Sequence, residues 1–157
     1  MKLIISLLYF LSYFNYLFAA QFIEESIAKV TAVNKVSLPD VSAYSSVKVT
    51  GGNKSNLGKS GIANCGGHRI EKQNKLEEQQ LVCNVEMSDY NKYSFMQKRE
   101  KTDTDAGIGK TLILDGTGPF NQLSGKEFIY AEKYMKSHAF FTTECNIPEP
   151  LFNLLKK

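Results

Sequence analysis

Cys65, Cys83 and Cys145 are the only thiols of this chain, and His68 and His138 its only imidazoles. A thiolate beside a histidine is the simplest nucleophilic pair a protein can build, and Cys65 stands three residues before His68. Those two residues with Cys83 also form the one set suited to a soft metal. Structural metal sites, however, are built from close pairs such as Cys-x-x-Cys or His-x-x-x-His, and neither spacing occurs. Disulfide formation is the better expectation. Cys65 and Cys83 lie symmetrically about Asn74. If Ser60–Cys65 and Gln80–Met87 are the arms of one hairpin, the two cysteines face each other across it. The reading is a Cys65–Cys83 disulfide with Cys145 free, and no catalytic, metal or cofactor site.

Two further fragments echo ligand loops and fail on detail. Gly107-Ile-Gly-Lys-Thr111 ends like a phosphate-binding loop, but the glycine needed at position 104 is Thr104. The following Leu112–Gly116 also reads as a strand running into a turn, where that loop must open a helix. Asp103-Thr-Asp-Ala-Gly107 begins like a calcium loop, yet Gly107 stands where the third oxygen ligand belongs and no acid follows before Asp115. Both are read as strand entry and polar turn. His68 and His138 are read as exposed or structural, since no orienting partner for either is legible.

The elements that position these residues begin with a leader. Lys2 is followed by an uncharged run from Leu3 to Phe18, then Ala19-Ala20, then the first acids at Glu24 and Glu25. Charged start, apolar core and small-residue cut site are the order of a secretory signal, so residues 1–20 are expected to be removed on export. A retained anchor is the rival, though the run is short of the ~20 residues a spanning helix needs and holds Ser12 and Asn15. The remainder, residues 21–157, is one domain's length. With 18 Lys and Arg left once Lys2 is removed, against 16 Asp and Glu, interleaved throughout, it offers no segregated basic face for nucleic acid. An exported location makes thiol pairing the default.

Residues 21–157 read as eight short strands: Ala28–Ser37, Ser45–Thr50, Ser60–Cys65, Gln80–Met87, Lys92–Gln97, Gly109–Leu114, Lys126–Glu132 and His138–Cys145. Apolar residues recur at period two, as in Leu81/Cys83/Val85/Met87, which sends one face inward. Gln21–Ala28 is expected to form two helical turns. Glu71–Gln80 is read as the charged tip of a hairpin with a helical turn, and Leu151, Phe152, Leu154 and Leu155 as a short C-terminal cap. Without βαβ alternation, the fold class is all-β: a small antiparallel barrel of about eight strands, with a β-sandwich as the alternative.

The densest pattern is Leu114-Asp-Gly-Thr-Gly-Pro-Phe-Asn-Gln-Leu-Ser-Gly125. Gly116 and Gly118 permit a sharp reversal, Phe120 and Leu123 plug it, and Gly125 starts the next strand. This corner resembles that of small exported eight-stranded barrels, the allene-oxide-cyclase-like and dirigent-like barrels and uncharacterised periplasmic relatives. The likeness covers residues 107–132, with Gln122 where glycine is common, and none of the catalytic residues of the plant enzymes can be placed on this chain. It implies a barrel and leaves function open. The leading expectation is non-enzymatic binding of a small apolar ligand or of a partner protein, with Phe95, Phe120, Phe128, Tyr130, Phe140 and Phe141 lining or filling the interior. A cyclase or isomerase using the barrel mouth and an envelope-associated structural protein are the alternatives. An empty apolar cavity of ~300 Å³ or more would favour the small ligand.

Overall fold

In the computed structural model, residues 19–39, 42–73 and 75–157 are described. Eight strands follow one another: β1 (Ala19–Ser37), β2 (Ser42–Ser55), β3 (Ser60–Lys72), β4 (Lys75–Met87), β5 (Lys92–Asp103), β6 (Ala106–Gly116), β7 (Glu127–Met135) and β8 (His138–Pro148). Each pairs antiparallel with its sequence neighbours, and β8 returns to β1 from Ala19↔Pro148 to Lys29↔His138, closing the barrel. Closure satisfies the ladder groups that an open sheet would leave on two edges.

The period-two pattern sets the layers. Phe22 and Ala28, Val47 and Val49, Leu81 and Val85, and Phe128 and Tyr130 turn into the barrel and are buried. Glu25, Lys29, Lys48, Lys98, Lys110, Glu127 and Glu144, at the opposite parity, are exposed on its outer wall. No helix among the described residues is long and apolar enough to cross a membrane.

One end of the barrel, here the lower, is plugged. A 3₁₀ helix (Gly118–Leu123) joins β6 to β7, and α1 (Glu149–Lys156) packs against it and against β1 and β8. Gly118 (φ 54°) and Gly125 (φ 75°) take left-handed backbone at either side of the 3₁₀ helix, which aims Phe120 and Leu123 into the barrel. The Phe120 ring stacks on Tyr93 at 5.1 Å. Leu151 and Leu155 add the apolar face of α1 to the same plug.

Cys65 and Cys83 are direct cross-strand partners of β3 and β4 and form a disulfide, with Cys145 free. Closing that loop contributes ~3 kcal/mol, chiefly by restricting the unfolded chain.

Four expectations are corrected. Gln21–Ala28 is part of β1: eight residues are too few for an independent helix, and ladders to both β2 and β8 claim its backbone. Glu71–Gln80 is the expected tip of the β3–β4 hairpin, but its described residues are strand on both sides of the turn and not helical, because Leu76 and Gln79 bury their side chains; Asn74 itself lies outside the described residues. His68 sits on β3, half-buried against the Tyr44 ring, and is not a fully exposed side chain. Phe140 is an outer-wall residue, 37% exposed and opposite Ile27, while its neighbour Phe141 turns inward. The leader lies outside the described residues, except that Ala19 and Ala20 open β1.

Candidate functional site

The barrel interior holds two polar clusters. In the lower one, the Tyr93 hydroxyl donates to Glu24 Oε2 at 2.5 Å, and Asn53 Nδ2 donates to the Tyr93 oxygen at 3.2 Å. All three residues are buried. β1 and β2 are neighbours, but β5 adjoins neither, so the curl of the closed barrel brings Tyr93 to the other two. Burial raises the Glu24 carboxyl above its ordinary range, against the pull of the Tyr93 and Asn53 hydrogen bonds. Burial, reinforced by the Glu24 charge, pushes the Tyr93 hydroxyl well up. This cluster therefore keeps a proton over the pH range where a solvated glutamate would have lost it.

The upper cluster joins β3, β4, β5 and β7. Arg99 Nη2 lies 2.6 Å from Glu132 Oε1, both side chains fully buried. Gln79 Nε2 donates to both Glu132 oxygens at 3.1 Å, and the Tyr134 hydroxyl donates to Gln79 Oε1 at 3.1 Å. Arg99 Nη1 donates to the Asp103 carbonyl at 3.1 Å, and Arg69 Nη2 donates to the Thr104 carbonyl at 2.6 Å. The two guanidiniums thus tie the β5–β6 turn down across the upper mouth. The Arg69 guanidinium also lies 5.0 Å from the centre of the Tyr134 ring. Burial pushes the Tyr134 hydroxyl up to about 12, with the Glu132 charge adding to it.

Gly109 is part of this layout. A Cβ there would run into the Tyr130 ring and the Lys98 carbonyl. The glycines of the fragment resembling a phosphate loop thus make room for core side chains on a strand. Asp103 and Thr104, from the fragment resembling a calcium loop, supply carbonyls to arginines. Among the described residues, no three His, Cys, Asp or Glu side chains come together to hold a metal.

Between the two clusters the interior is nearly full. Glu24, Gln97 and Thr143 share with Phe95, Phe141 and Leu81 a cavity of about 30 Å³, enough for one or two waters. The larger concavity lies on the outer wall, at the lower end of β3–β6. It measures about 850 Å³ and is lined by Ile62, Asn64, Asn84, Tyr90, Ser94 and Thr117 among others. Lys59 and Asp89 pair at 2.6 Å beside it, tying the β2–β3 and β4–β5 turns together.

His68 approaches Glu78 at 3.3 Å on the outer wall near the upper end, far along β3 and β4 from this groove, and His138 is exposed at the start of β8. Cys145 is half-buried, with its thiol raised by burial, which makes it a poor nucleophile. Gly116 lines the outer groove, whereas Phe120 is buried beneath it. The polar clusters were missed from sequence, although a signal existed. Gln79 continues the parity of Leu81/Cys83/Val85, Arg99 that of Tyr93/Phe95, and Glu132 that of Phe128/Tyr130. Extending each alternation through its polar members places all three inside.

Comparison with protein-family models, with curated proteins and with solved structures finds no match for this chain.

Proposed function

We propose that this chain is an exported, non-enzymatic binding protein that engages a partner protein through the outer groove, with its packed interior serving as scaffold. The observation that carries this reading is the disparity between an interior cavity of about 30 Å³ and an outer-wall groove of about 850 Å³. A drug-sized molecule needs roughly 300 Å³ or more, so the interior as packed has no room for an apolar ligand. The 3₁₀ helix and α1 also plug the lower end, and Arg69 and Arg99 hold the β5–β6 turn at the upper end.

The groove lining favours a protein partner. Tyrosine, serine, asparagine and glycine predominate, with Tyr90 84% exposed and Ile62 61% exposed. Binding surfaces of this composition use tyrosine for contact area and small polar side chains for adaptable hydrogen bonds. Export rests on the leader pattern of residues 1–20, with which the Cys65–Cys83 disulfide is compatible.

Two measurements test the reading. A photoreactive residue placed at Tyr90 or Ser94 should yield partner adducts in the source organism, and the same residue at Glu25, exposed on β1 across the barrel from the groove strands, should not. Native mass spectrometry of the protein from its own source should show no retained small molecule. A stoichiometric apolar ligand would return the function to the barrel interior.

A further inference from the structure

β1 runs on past the point where the barrel closes. β8 stays beside β1 only as far as Lys29↔His138, followed by a last bond from Val30 N to the Ser137 carbonyl at 2.8 Å. β1 then runs on through Thr31–Ser37, paired on one side with β2. Among the described residues, no strand lies along its other side. All seven of these residues are exposed, Val33 by 61% and Val36 by 52%.

The hydrogen-bond phase shows which backbone groups are free. Leu38 N donates to the Ser42 carbonyl at 2.8 Å, so residues 38, 36 and 34 turn their backbone toward β2. Lys35 and Ser37 therefore turn theirs outward. Val30 faces outward to Ser137, so Ala32 does too, and the bulge between Ala32 and Asn34 accounts for the change of phase. Ala32, Lys35 and Ser37 thus offer N–H and C=O groups in a row, and an unpaired row of that kind is satisfied by an extended backbone.

Charge narrows the choice of partner. From Ser26 to Pro39 there is no acid, only Lys29 and Lys35. The neighbouring β7–β8 hairpin adds exposed Lys133, Lys136 and His138. A second copy of the chain would bring the same lysine-bearing edge against this one. Edge lysines and bulges are devices that discourage such self-pairing. An acidic strand would turn the same lysines into contacts.

We propose that Thr31–Ser37 is a strand-addition site that accepts one extended, acidic segment of another protein. It stands at the upper end of the barrel, apart from the outer groove at the lower end, and does not depend on that groove's role.

The probe is a fluorescent ten-residue peptide alternating Val or Thr with Glu, and its counterpart with Lys in place of Glu. Fluorescence anisotropy with the full chain should show the Glu peptide binding at least about tenfold tighter than the Lys peptide, and more weakly as salt is raised. Amide exchange at Lys35 and Ser37 should slow in the complex. Ser37→Pro removes an outward donor, which an edge strand tolerates, and should weaken binding about tenfold or more with the melting temperature retained. Lys35→Glu leaves the backbone untouched and should shift the preference toward the Lys peptide, a readout that stands even if the proline variant folds poorly. The proposal is overturned by no binding of either peptide at 1 mM, by equal binding of both, or by protection elsewhere than β1. A dimer in sedimentation that Lys35→Glu strengthens and Ser37→Pro abolishes would make a second copy the occupant, and would overturn it too.

Discussion

Residue by residue, the costliest placements in this barrel are its buried charges. Arg99 and Glu132 are both fully buried and meet at 2.6 Å. Removing one member strands the other in a medium that solvates it poorly, and such losses run to ~3–5 kcal/mol. Arg99→Leu should therefore lower the urea-unfolding free energy by about that much. The double variant Arg99→Leu/Glu132→Leu should recover a substantial part of it. A double variant as unstable as the sum of the singles would show that the two side chains do not act as a unit. Glu24 carries a pH signature. Its carboxyl sits above the ordinary 4.5 because the folded state buries it. Between 4.5 and the raised folded value the native state holds more protons than the unfolded chain, so stability falls as pH rises through that window. Glu132 is raised by burial as well, against the pull of Arg99, and acts in the same direction. The urea midpoint of the natural chain should decline as pH is raised from 4.5, and Glu24→Gln, which still accepts from Tyr93, should flatten part of that decline. Identical profiles for the two proteins would remove Glu24 as a source.

Among the elements, the 3₁₀ helix between β6 and β7 is the most sensitive. Phe120 is 1% exposed and stacks on Tyr93, whereas Asp115 and Gln122, within the same twelve residues, face solvent. Truncating a buried phenylalanine costs ~3–5 kcal/mol. Exposed polar positions change stability by about ±0.5 kcal/mol. Phe120→Ala should accordingly lower the melting temperature far more than Asp115→Ala or Gln122→Ala. Equal shifts would recast the segment as a loose loop and take away the lower plug. The same contrast separates β1 from the helix its local composition suggests. Gln21–Ala28 has acceptable helix formers, but a strand with neighbours on both sides buries Phe22, Glu24 and Ala28, and that gain outweighs local preference.

On the scale of the whole molecule, the leader and the barrel must be compatible with each other. Cleavage after Ala20 would remove the pairs Ala19↔Pro148 and Ala20↔Ile147 but leave Phe22 in the core. N-terminal sequencing of the exported product should accordingly begin at or near Gln21, with the strand content intact by circular dichroism. An intact Met1 form in the membrane fraction would replace the signal with an anchor.

Read alone, the sequence was enough to place eight strands, most of their inward faces but not those of Ala32 and Phe140, the Cys65–Cys83 pair and the apolar plug of Phe120 and Leu123. Each of these follows from local rules: period-two alternation, turn glycines, and symmetry about a hairpin centre. It left open barrel against sandwich, because strand rhythm is the same in both and only the β1–β8 ladder distinguishes them. Tertiary structure alone decided that the aromatics fill the interior, that Glu24 meets Tyr93 across 69 positions, and that Gln79 meets Glu132 across 53. Those contacts depend on strand register and on which strands curl to face each other. Neither is a property of any local segment. The free stretch of β1 has the same origin, since an edge exists only where a neighbouring strand stops, and β8 begins opposite Lys29, eight residues before β1 ends.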